Sequence, residues 1–233
     1  MTDQQTAERP PPMFRLSHIP VVVWATALAL LLLYAAFFFA PVGEQQGMLY
    51  DFALAPERFW APAGSEKVYP SYIAGLLTLA STALLHGGWL HVIVNSLMMV
   101  QFGIPVSRAL GPGIAGAGAW MLLFVVSVVA GSAFYLAMYD VNGPYAVGAS
   151  GGTSGLIAAA FLIDPYTGRR RSLWSPAFLK LTAAFAAINV LLVLAGPYLV
   201  GAAVAWEAHA GGYVAGALLM SILPFRGLSA PQT

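Results

Sequence analysis

The chain has 233 residues, of which 59% are hydrophobic and only 8% charged, with a formal net charge of +1. Soluble domains carry about 25% charged residues, so a soluble enzyme is excluded; the near-neutral balance names no partner, and no nucleic-acid partner is expected. Cysteine is absent, which removes disulfides, cysteine-ligated metals and thiol nucleophiles. With a mean hydropathy of +0.77, the expected class is an all-α integral membrane protein, because lipid offers no partner to an unpaired backbone group.

In chain order, residues 1–18 read as a polar, unstructured tail holding Pro10, Pro11 and Pro12, with His18 at the edge of the first span. The uncharged run 19–40 is 22 residues long. That is enough to span and too long for a signal-peptide core, so it is taken as a retained helix. The first loop, 41–70, mixes Glu44, Asp51, Glu57, Arg58, Glu66 and Lys67 with Leu49, Phe52, Leu54, Phe59 and Trp60. Such a blend suits the membrane interface. The run 72–106 carries no formal charge over 35 residues and fits either one span or two. Gly87-Gly88 breaks it, so 71–86 is expected to be re-entrant or interfacial and 89–106 to span. Further spans are expected at 114–138, 149–163, 177–195 and 208–223, giving a six-helix membrane domain over 19–224 and a tail at 225–233.

Positive residues test that count. With six spans, Arg9, Arg15, Arg108, the run Arg169, Arg170, Arg171, and Arg226 share one side, against Arg58 and Lys67 on the other. The Lys/Arg bias sets orientation, so both termini are expected in the cytoplasm. No internal repeat is evident, which weakens a transporter built on inverted repeats.

Polar residues inside spans are costly and usually functional, and here they concentrate at three places. In "HGGWLHVIVN", 86–95, His91 and Asn95 share one helix face. They serve either as helix–helix hydrogen bonds or as donors to a developing negative charge. In "GASG", 148–151, Ser150 opens a hydrophobic run. Gly148, Gly151 and Gly155 there permit close helix packing, while a helix amino terminus favours an anion. In "AHAGGYVAG", 208–216, His209 stands beside a stripe made by Gly212 and Gly216. A bare backbone stripe would let another helix bring its serine to the imidazole. Together these supply a base, a nucleophile and oxyanion donors. Asp140, Asp164 and Glu207 all fall at span ends, so the arrangement is a Ser–His dyad without the carboxylate of the triad template. Asn189, mid-span in the fifth helix, is read as a bond to a neighbouring helix, and the triple arginine as a topology anchor.

These three ordered motifs resemble the rhomboid family of intramembrane serine proteases, over about residues 49–223. The resemblance puts Ser150 on the nucleophile, His209 on the base, and His91 and Asn95, with the Ser150 N–H, on the oxyanion positions. His86, Gly148, Gly151, Gly155, Gly212 and Gly216 become supporting residues. "GTSG", 152–155, is a decoy, since the family's nucleophile is followed five residues later by a glycine, as Gly155 follows Ser150. The resemblance implies a six-helix bundle in the bacterial inner membrane, cleaving transmembrane segments of other proteins without metal or cofactor, in contact with membrane lipid. Two departures stand out. "ERFW" offers only Arg58 and Trp60 where some members carry adjacent Arg and Trp, and Ser154 occupies a position that is often aromatic and packs against the base. Tyr213 and Trp206 are the candidates to take over that contact. The competing readings are a non-proteolytic member that binds transmembrane segments, and a small transporter or channel.

Overall fold

The structure, a computed structural model, describes residues 19–228 apart from 63, 67 and 201–203. The expectations for the 1–18 tail (including Arg9, Arg15 and His18), for Lys67 and for 229–233 lie outside the described residues. The chain folds as an all-helical bundle: α1 (Val21–Phe39), α2 (Val42–Phe52), α3 (Pro56–Phe59), α4 (Tyr72–Ser81) with a 3-10 turn at Thr82–Leu84, α5 (Trp89–Leu110), α6 (Gly113–Met138), α7 (Ser150–Phe161), α8 (Pro176–Val200) and α9 (Trp206–Ile222). No strand is found among the described residues.

Four of these helices, α1, α5, α6 and α8, are long and apolar enough to cross a membrane. The run 71–86, expected to be re-entrant or interfacial, forms the short helix α4 followed by the 3-10 turn. Its 10 residues cover about 15 Å, half of a hydrocarbon core of about 30 Å. The fourth and sixth spans are also shorter than a full crossing. The 12 residues of α7 reach about 18 Å, and the 17 of α9 about 26 Å. What shortens α7 is the chain ahead of it, which enters the bundle in extended form. Leu54 and Ala146 pair as an antiparallel bridge, the Gly148 N–H donates to the Thr82 carbonyl at 2.9 Å, and Thr82 Oγ1 donates to the Ala146 carbonyl at 2.6 Å. These bonds satisfy backbone groups that lipid could not.

The packing centre is the trio α6, α7 and α9. Lipid tails are as apolar as leucine, so close van der Waals fit, rather than burial from water, must hold such a trio together. Glycine supplies the fit. A methyl group on Gly212 would lie 2.1 Å from the Gly151 carbonyl oxygen, one on Gly216 would lie 2.3 Å from Gly155 Cα, and one on Gly131 would lie 2.4 Å from the Ala208 carbonyl oxygen. All residues from Gly151 to Leu156 are buried. Helix α1 packs on α5 through Val23, Ala27, Leu30 and Tyr34, a single helical face. Trp120 of α6 donates its indole N–H to the Gly103 carbonyl of α5 at 3.1 Å. Helix α8 is the least embedded of the four long helices, and most of its residues are exposed.

The first loop is a folded cap. Helix α2 buries none of its residues. Arg58 is buried, sandwiched between the rings of Tyr50 and Tyr69 at 3.7 and 3.9 Å, and it donates to the Tyr50 carbonyl. Arg58 thus ties Tyr50 and Tyr69 together within the cap, and the Tyr69 hydroxyl bonds the Ala53 carbonyl and the Ala55 N–H; Trp60 is half exposed.

At the other end of the bundle two residues of the triple arginine bind helix ends. Arg170 donates to the carbonyls of Met220, Ser221 and Leu223, the open carboxyl end of α9. Arg171 does the same for Phe161 of α7 and bridges to Asp164 at 3.4 Å. Cations at helix carboxyl ends complement both the free carbonyls and the dipole. The backbone N–H groups of Thr167 and Tyr166 beside Asp164 hold its carboxyl below its usual value.

Candidate active site

Ser150 is the first residue of α7, and no side chain caps that helix end. The first turn of a helix leaves its N–H groups without intrahelical acceptors, so those of Ser150 and its neighbours remain available. The approach to Ser150 is fixed by Gly148, whose φ is +127°, and where a methyl group would stand 2.7 Å from His91 Nε2. Both the dihedral and the space require glycine. Ser150 and Gly148 share with Thr82, Ser132 and Ala208 the wall of a small cavity of about 20 Å³, room for about one water-sized group.

His86 and His91 flank this turn. His86 is 2% exposed and accepts the Ala149 N–H on Nε2 at 3.4 Å, while its Nδ1 finds no hydrogen-bond partner. The ring of His91 meets it edge to face at 5.1 Å. The Gly87 N–H donates to His91 Nδ1 at 3.4 Å. A neutral imidazole accepting at Nδ1 carries its proton on Nε2, and that is the atom lying against Gly148.

Asn95 is buried one turn further along α5. Its Oδ1 accepts from Thr153 Oγ1 at 2.9 Å, and its Nδ2 donates to the His91 carbonyl at 3.1 Å. The amide is therefore oriented, with one Nδ2 hydrogen still unassigned. Thr153 was not singled out in the sequence, although it sits inside the decoy "GTSG". Only the packing of α5 on α7 reveals what it does.

His209 lies in the first turn of α9. The glycine contacts of Gly151 with Gly212 and of Gly155 with Gly216 hold α7 and α9 backbone to backbone. The structure thereby brings the amino-terminal turns bearing Ser150 and His209 together, and His91 and Asn95 flank them on α5. The hydroxyl of Ser150 and the imidazole are not hydrogen-bonded to each other, which is common in unliganded sites. His209 Nδ1 instead stands 2.6 Å from Asn189 Oδ1 of α8.

That contact corrects two expectations. Tyr213 makes no ring contact with His209 among the described residues. It stacks on Phe185 at 4.3 Å and on Phe178, and its hydroxyl bonds Thr182 at 2.7 Å. Trp206 is half exposed and has no ring contact with the base among the described residues. Glu207, expected at a span end, is buried in the first turn of α9 at 4% exposure, where Oε1 accepts the Tyr139 hydroxyl at 3.0 Å. No cluster of three or more possible metal ligands occurs among the described residues.

A comparison with curated proteins finds no match. A family model, the Rhomboid domain, matches residues 74–225, which begins at α4 and leaves the first-loop cap outside. Its span holds all three motifs and covers well over half of the 233 residues, and with the helical membrane fold that carries them it makes this chain an integral membrane protein of the rhomboid family.

Proposed function

We propose that the chain is an intramembrane serine endopeptidase that cleaves transmembrane segments of other membrane proteins. The observation that supports the reading is the close backbone contact of α7 with α9 through Gly151, Gly155, Gly212 and Gly216, near the helix starts that carry Ser150 and His209. In this reading His209 Nε2 takes the Ser150 proton as Oγ attacks the scissile carbonyl, and later passes it to the leaving amine. Water then hydrolyses the acyl-enzyme by the same route. The tetrahedral oxyanion is met by the Ser150 N–H, His91 Nε2–H and the remaining Nδ2 hydrogen of Asn95. Donors fixed in advance cost no reorganisation in an apolar site. The charge bias supports both termini in the cytoplasm, as expected of a bacterial inner-membrane protein.

The test is a fluorophosphonate probe together with a model transmembrane substrate in detergent. The parent should be labelled and should cleave. Ser150→Ala and His209→Ala should lose both, while Ser154→Ala should only slow cleavage. Asn95→Ala should keep labelling but cleave about 10–100-fold more slowly, less than the full loss of a sole oxyanion donor because the donors are redundant. A parent that folds but never labels would indicate the non-proteolytic, segment-binding alternative.

A further inference from the structure

We propose that Asn189 is the positioning residue of the base. It does from a neighbouring helix, and without charge, what the aspartate does in the triad template. This rests on the reading of His209 as the base. The sequence supplies no carboxylate for the task, and the imidazole nevertheless has a partner on its inner nitrogen, Asn189 Oδ1 at 2.6 Å.

The direction of that bond follows from the other end of the amide. Asn189 Nδ2 donates to the Phe185 carbonyl, one turn back along α8, at 2.9 Å. A carbonyl can only accept, so the NH₂ must be on that side and Oδ1 must face the histidine. Oδ1 can likewise only accept, so Nδ1 of His209 must carry a proton. In the neutral ring this leaves the Nε2 lone pair as the only acceptor, which is the tautomer a general base needs. When Nε2 takes the serine proton, the Nδ1–H bond is already in place; Nδ1 keeps its own proton throughout, and the imidazolium forms without a change of partner.

A neutral amide also suits the location. Helix α8 is the most exposed of the long helices, and an ionised carboxylate on a lipid-facing helix is costly. Asn189 falls on the one stripe of α8 turned inward, with Phe178, Thr182 and Phe185, and three of these four meet α9 by ring stacking or hydrogen bonds to Tyr213. The stripe aims Asn189 at the base. A simple interhelical tie would need neither the 2.6 Å contact to the base nor the second bond that orients the amide.

The test reads the tautomer and the rate separately. In ¹⁵N-histidine-labelled parent protein, His209 should show a protonated Nδ1 and an unprotonated Nε2. In Asn189→Leu, close in size and apolar, the two nitrogens should average. Loss of the correct tautomer costs about 10⁴ in the soluble template. A neutral acceptor leaves less to lose, so Asn189→Leu should lower kcat and the fluorophosphonate labelling rate about 10–100-fold, with KM unchanged. Asn189→Asp, which keeps an acceptor oxygen toward Nδ1, should keep the proton on Nδ1 but lower thermal stability, because a carboxylate on α8 is costly. A parent with its proton on Nε2, or a folded Asn189→Leu that labels at the parent rate, would overturn the proposal. The tautomer can be read whether or not the chain is a protease, so a failure here is distinct from failure of the proteolytic assignment.

Discussion

Asn95 shows how a single side chain can be useful only when a second one holds it. Its Oδ1 is taken by Thr153 and one Nδ2 hydrogen by its own helix, so the last hydrogen has a fixed direction. Thr153→Val keeps the shape of the side chain and removes the donor. A buried acceptor left without its partner costs about 1–3 kcal/mol. We expect a lower melting temperature, cleavage slowed in the same sense as Asn95→Ala, and unchanged labelling of Ser150 by the probe. Unchanged cleavage would mean that the amide is held by α5 alone. Ser150, His209, His91 and Asn95 were legible as candidates because each sits in a short motif with a glycine or a helical partner close in sequence. Thr153 and Asn189 were not. Asn189 stands 20 residues before His209 on another helix, and no local spacing records which rotation of α8 will face α9. The pattern in the chain showed only that a polar residue mid-span needs a partner, which is correct but does not say whose.

The helices α7 and α9 meet where side chains are missing, so a methyl group is the sharpest probe of their contact. Gly216→Ala would force a carbon to within 2.3 Å of Gly155 Cα, and overpacking of this kind costs about 1–3 kcal/mol. Gly118 of α6 has nothing within 4 Å of the corresponding position and serves as the control. We expect Gly216→Ala to lower both thermal stability and cleavage and Gly118→Ala to lower neither. Equal behaviour of the two would remove the glycine contact from the account. The opposite end of the same helix pair is closed by arginine. Arg170→Gln should lower the melting temperature, because the last carbonyls of α9 lose a charged donor, worth roughly 1.5–3 kcal/mol per bond in buried settings and less here. Activity per folded molecule should be kept, since the site is at the far end. A loss of specific activity without a loss of stability would contradict the capping role. The short run of α7 was close to legible, since the expected segment 149–163 holds the helix Ser150–Phe161. What the sequence did not show is that the chain just ahead of α7 is held extended by pairing of Ala146 and Gly148 with Leu54 and Thr82, far away in the chain.

At the scale of the whole molecule, the absence of cysteine makes orientation directly measurable. The side chains to use are exposed ones outside the packing: Tyr145 at 61% and Tyr166 at 94% exposure. A membrane-impermeant maleimide applied to intact cells should label Tyr145→Cys and should reach Tyr166→Cys only after the membrane is opened. The reverse pattern would invert the topology drawn from the arginines. Composition alone indicated the all-helical membrane class, and the three motifs indicated the family, because both depend on residue type and short spacing. The first-loop cap was missed as structure: Arg58 finds Tyr69 across a stretch with no regular period. Within the bundle, two of the helices around His209, α7 and α8, are mounted differently. Backbone against backbone along α7 and α9 is a hard stop, with no rotamers to average over and nothing compressible between. Helix α8 hangs on ring stacks and polar bonds, a soft mount by comparison. A bilayer of different thickness would then tilt α8 and leave the α7–α9 seam in register, so lipid length would tune how well the imidazole is aimed while its distance from the serine's helix stays constant.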